Sequence, residues 1–158
     1  MKTAIISICQ QYRYELGRDF VLNANNPAIF CMLNPSTADD QIDDPTIKRC
    51  MQFAKDNGHD SLKVVNLYAY RSANPKNLWI TDNPVGDEND SHLYNLFSKH
   101  KKIICAWGAN AKIERVIEVY KMLQQLNVEM YCLGTTKAGM PKHPLYIKGN
   151  QQFMEFKL

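Results

Sequence analysis

A chain of 158 residues with 45% apolar and 22% charged side chains has the make-up of one soluble globular domain with a real core. Its net charge of +3 is too mild to argue for nucleic-acid binding by itself. No run reaches membrane-spanning length and the apolar start at residues 4–8 is too short for a secretory leader, so a cytoplasmic protein with no membrane partner is expected.

Residues 5–22 alternate in parts around Gly17-Arg18-Asp19 and predict a β-hairpin or edge element. Residues 28–33 form a continuous apolar run, as in a strand buried on both faces. Asp44 as N-cap and Pro45 at the first helical position open a helix that Gly58 stops, with Ile47, Cys50, Met51 and Ala54 inward. A second strand follows at 62–68. The polar stretch 71–90 is a long loop of the kind that often carries function, and a helix over 88–99 then buries Leu93, Leu96 and Phe97. A third strand spans 103–107. A helix over 109–126 presents Ile113, Val116, Ile117, Tyr120 and Leu123 on one face, and a fourth strand spans 128–133. Strands alternating with helices predict an α/β fold over residues 1–158. It is a single three-layer α/β/α sandwich with a central, mainly parallel four-stranded sheet and a small N-terminal β element.

The five cysteines, Cys9, Cys31, Cys50, Cys105 and Cys132, form no C-x-x-C pair, and four sit in apolar stretches. Buried free thiols in a reducing compartment are expected, with no metal site among them.

In an open α/β sheet, ligands bind beyond the carboxyl ends of the strands. Asn34-Pro35 follows the first strand and His143-Pro144 follows the fourth, so two polar side chains would face one pocket. The second strand would add Asn66 or Tyr68, and the third Trp107-Gly108. Asparagine offers an acceptor and two donors for a base edge or a water, and histidine can donate to an oxygen that gains charge. Each residue also has a plainer reading: Asn34 as a turn residue, His143 as a hydrogen-bonded loop side chain, Ser36 and Thr37 as turn caps, Trp107 as core.

The motifs NPSTAD, DDPTIKRC, VVNLYAYR, NPVGDEND, AWG and HPLY, in that order, identify the chain as a member of domain-of-unknown-function family 1643, a family of bacterial and phage proteins. More distantly the chain resembles the uracil-DNA glycosylase superfamily. That superfamily carries Gly-x-Asn-Pro or Gly-x-Asp-Pro after its first strand, a base-reading asparagine, Trp-Gly and a final His-Pro-Ser-Pro. The resemblance implies catalytic roles for Asn34, orienting water, and His143, donating to the departing base. It implies substrate binding by Asn66, the base reader, with Ser36, Tyr68 and Lys142 beside it and Leu145 or Tyr146 at the wedge position.

Met32 stands where that superfamily has glycine, and HPLY replaces His-Pro-Ser-Pro. Asparagine cannot serve as a general base. No cofactor is implied, because the cysteines lack an iron-sulfur ligand set. The expected partner is a nucleobase-containing substrate: DNA, RNA or a nucleotide. The expected function is recognition of a nucleobase with hydrolysis of its N-glycosidic bond. The alternatives are a non-catalytic binding module and metal-dependent phosphate chemistry through Asp39, Asp40, Asp43 and Asp44.

Overall fold

The computed structural model describes residues 1–158. The chain forms β1 (Lys2–Ile6), β2 (Arg13–Asp19), β3 (Pro27–Met32), α1 (Pro45–Asp56), β4 (Ser61–Asn66), α2 (Asn89–Phe97), β5 (Lys102–Cys105), α3 (Ile113–Gln125), β6 (Glu129–Cys132) and β7 (Met154–Glu155). Short 3-10 turns occupy Pro75–Trp79 and Pro144–Tyr146.

All the strands join one sheet in the order β1-β2-β4-β3-β5-β6-β7. β4, β3, β5 and β6 pair in parallel, while β1, β2 and β7 run antiparallel to their neighbours. The sheet is therefore mixed and seven-stranded, not the four-stranded one expected. The N-terminal hairpin is not a separate element, because β2 zips onto β4 with Leu16 opposite Val64, both buried. β7 is two residues long and leaves no periodic signal; its register against Tyr131 and Cys132 fixes it.

Alternation along the central strand divides the core. Ile29 and Cys31 join Leu93, Phe97, Val116 and Leu123 beneath α2 and α3. Ala28, Phe30 and Met32 join Ile47, Cys50 and Phe53 beneath α1. Helices thus cover both faces of the sheet. No helix is long and apolar enough to cross a membrane.

One helix begins where the sequence places it and another does not. α1 starts as read, with Asp44 Oδ1 accepting from Ile47 N at 2.9 Å and Pro45 at the first helical position. α3 starts only at Ile113, leaving residues 109–112 as a loop at the carboxyl end of β5. Its inward face carries Arg115, Val116, Val119 and Leu123, whereas Ile113 and Ile117 are exposed. Arg115 turns the helix this way, donating through Nε to Leu67 O at 2.9 Å and pairing with Asp90 at 2.6 Å.

Candidate functional site

β3 connects through α1 to β4 on one side, and the chain then crosses to β5 on the other side of β3. The connections diverge at the carboxyl ends of β3 and β5, the place where open α/β sheets bind ligands. A cleft of about 700 Å³ opens there. Asn34 and Ser36 line it from the loop after β3, and Asn66 from the last residue of β4. Lys142, His143, Leu145 and Tyr146 line it from the loop after β6.

Tyr68 is the exception among the expected site residues. It is buried in the core, edge-on to Trp79 at 5.4 Å, and its hydroxyl accepts from Lys112 N at 3.2 Å. Two residues past the end of β4 the chain has left the strand, so it packs under the 3-10 turn instead of facing the cleft.

Asn34, Asn66 and His143 are each held so that one group stays free. Asn34 Nδ2 donates to Pro35 O and Ser72 O, each at 3.0 Å, which leaves Oδ1 as its unused group. Asn66 is 2% exposed, and its Oδ1 faces the Arg13 guanidinium at 3.5 Å. A guanidinium only donates, so Oδ1 is the amide atom turned toward it and the Asn66 NH₂ group has no partner in the protein. The strand end is clamped from behind by Asn89, whose Nδ2 donates to Asn66 O at 3.0 Å and to Leu67 O at 3.2 Å.

His143 caps the Pro144–Tyr146 turn, with Nδ1 accepting from Leu145 N at 3.3 Å. That bond requires the tautomer with its proton on Nε2, which leaves an N–H donor free. Burial lowers the pKa of the ring below its usual value, opposed by the nearby Asp44, so the neutral form is favoured. Gly108 supplies the backbone turn beside this loop: its φ is +75°, a conformation that favours glycine, and its N–H bonds Pro141 O at 2.8 Å. Leu145 and Tyr146 are exposed at the cleft mouth.

The aspartates of the first loop disperse. Asp39 Oδ1 accepts from Gln41 N and Ile42 N, both at 2.8 Å. Asp43 pairs with Arg18 at 2.6 Å and Lys2 at 2.8 Å, and Asp40 is exposed. Asp44 alone lines the cleft, and its two oxygens accept from Ile47 N and Ala38 N. No three His, Cys, Asp or Glu side chains come together as a metal set.

Sequence reasoning missed Arg13, which lines the cleft from β2 while only 2% exposed. Burial lowers its pKa to about 10 despite the pull of Asp44, so it remains charged at neutral pH. Nothing local marks it, because an arginine in a presumed edge hairpin reads as surface. Trp107 also lines the cleft as well as the core, with no partner for its buried Nε1–H.

A family model described as "Protein of unknown function (DUF1643)" matches residues 13–145. Its span opens on Arg13 and closes on Leu145, both of which line the cleft. No curated protein and no solved structure matches the chain.

Proposed function

We propose, from the premise that the chain belongs to the DUF1643 family of proteins of unknown function, that its cleft recognises a nucleobase and hydrolyses the N-glycosidic bond holding it. The observation that carries this reading is the convergence of three committed side chains at one cleft: an acceptor at Asn34 Oδ1, a donor at Asn66 Nδ2 and a donor at His143 Nε2. The likeness to uracil-DNA glycosylases in the motifs around these residues points the same way. Asn34 orients a water toward the sugar carbon. As the new C–O bond forms, the C–N bond breaks and its electron pair leaves with the base. His143 Nε2–H donates to the oxygen on which that charge develops, and the proton shed by the water ends on the departed base or in solvent.

The test is abasic-site formation on oligonucleotides carrying uracil, hypoxanthine or mismatched bases, beside base release from free nucleotides. Wild-type release is expected, and His143→Ala is expected to reduce it about 10²-fold, the usual effect of removing one such donor, with the melting temperature retained. An unchanged rate in His143→Ala removes that role.

One observation favours a second reading, a binding module without turnover. The cleft's one carboxylate, Asp44, is engaged at both oxygens by backbone N–H groups, so no general base stands ready for the water. Measurable base affinity without release on any substrate decides for it.

A further inference from the structure

The amino end of the sheet carries a second depression, of about 580 Å³, in which the chemistry of the cleft has no part. It opens where two strands part. β3 and β5 pair only through Phe30 with Ile104 and Cys31 with Cys105. β3 nevertheless starts at Pro27 and β5 at Lys102, so their first residues are not zipped together. Pro27, Ile29, Lys102 and Ile104 all line the depression that results.

Its lining divides by chemistry. Ile29, Ile104, Tyr131 and Phe153 supply apolar and aromatic surface, while Lys101, Lys102, His59 and His100 supply basic groups. No carboxylate lines it, and none of the four basic residues is in an ion pair. The carboxylates bonded to its lining are committed. Asp60 accepts from Asn25 N at 2.9 Å and Asn26 N at 2.8 Å, and Glu129 accepts from the Tyr131 hydroxyl at 3.2 Å. Two of the basic side chains are also placed. Lys102 Nζ stands over the Tyr131 ring, 5.5 Å from its centroid. His59 Nδ1 lies 3.2 Å from Asn26 O, and a carbonyl only accepts, so the proton is on Nδ1 and Nε2 has no partner in the protein. An anion beside that ring favours its second proton, which turns Nε2 into a donor.

Aromatic surface beside unanswered positive charge suits an anion with a flat apolar body. The volume suits one small molecule, since ligand pockets run to roughly 300–1,000 Å³. An extended polyanion fits worse, because Glu129, in register with Lys102, and Asp60 add negative charge at the margins. We propose that this depression is a second ligand site, for a small organic acid. Its aromatic body lies against Tyr131 and Phe153, and its anionic group meets Lys101 and Lys102. The site is independent of the nucleobase reading of the cleft.

The test is titration of the full chain, at fixed ionic strength, with naphthoate, with its uncharged analogue naphthylmethanol, with acetate and with a short single-stranded oligonucleotide. Calorimetry reads the affinity, and the ring resonances of His59, Tyr131 and His143 read the place. Naphthoate is expected to bind about tenfold more tightly than naphthylmethanol, the worth of one charge-assisted hydrogen bond, and more tightly than acetate. It is expected to move the His59 and Tyr131 signals and leave those of His143 in place. Lys101 and Lys102 are exposed, so Lys101→Gln/Lys102→Gln is expected to fold and to bind the acid no better than the alcohol.

Equal binding of acid and alcohol, or of naphthoate and acetate, overturns the inference, as does no binding of naphthoate at all. A response at His143 without one at His59 places the acid in the cleft and overturns it too. An oligonucleotide that moves the His59 signal and binds more tightly than naphthoate replaces the small acid with a polyanion. A preference for the acid retained in the double variant removes the two lysines as its partners. None of these results bears on base release, so the nucleobase reading stands or falls separately.

Discussion

Asn66 and Arg13 meet in the wall of the cleft, and exchanging the amide nitrogen of Asn66 for an oxygen tests their division of labour. In Asn66→Asp the amide donor is lost and a carboxylate meets the guanidinium that Asn66 Oδ1 now faces at 3.5 Å. The fold is expected to hold, since a buried charge gains a partner, while ligand affinity falls about tenfold to a hundredfold for the missing donor. A urea titration beside a binding isotherm separates the two effects, and parallel losses in both would contradict the assignment. His143 makes a second residue-scale prediction through pH. Burial holds its folded pKa below the usual imidazole value, so the unfolded chain takes up the proton first as pH falls. Its contribution to stability is complete above about pH 6.5 and declines as pH drops from there toward the depressed folded value. Any step that uses the neutral ring keeps its plateau through pH 6.5 and loses it only below. A pH–rate or pH–binding profile with an acid limb at or above 6.5 would exclude His143 as the group reported.

Elements carry the part of this protein that the sequence makes plain, and they also show where local pattern fails. Asp44-Pro45 announces α1 because a capping carboxylate and a proline at the first helical position each satisfy a backbone constraint within a few residues. The apolar run of β3 and the prolines after Asn34 and His143 are equally local, which is why both residues were legible as lining one cleft. What was not legible depends on partners far along the chain. The hairpin becomes part of the main sheet only through pairing with β4. α3 is rotated by Arg115, whose partners Leu67 and Asp90 lie in other elements. Arg13 is a site residue only because β2 borders β4, and Tyr68 leaves the site because its strand ends at Asn66. The α1 start gives the prediction at this scale. Asp44→Ala removes the cap on Ile47 N and the bond to Ala38 N at 3.4 Å, so it joins a helix penalty to a loosened cleft loop. A loss of about 1–2 kcal/mol, near the upper end for a cap, is expected in the urea midpoint with the slope unchanged. A loss within experimental error would mean that neither bond matters.

Across the whole molecule, positive charge sits at both ends of the sheet, and only one end bears on the cleft. Lys101 and Lys102 border a second depression of about 580 Å³ with His59 and His100 at the amino end of β5, whereas Lys142 stands beyond its carboxyl end. The distance from Lys102 to Gly108 along an extended chain is roughly 20 Å at about 3.3 Å per residue. The screening length at physiological salt is about 8 Å, so the far cluster contributes little at the cleft. Reversal of both charges in Lys101→Glu/Lys102→Glu is therefore expected to leave cleft affinity within about twofold at 0.15 M salt. Lys142→Glu, inside the screening length, is expected to weaken an anionic ligand severalfold, with the deficit shrinking as salt rises. Binding isotherms at two ionic strengths distinguish these cases. Equal losses from both variants would mean that the ligand spans the molecule from end to end, as a long strand of nucleic acid does and a free nucleotide does not.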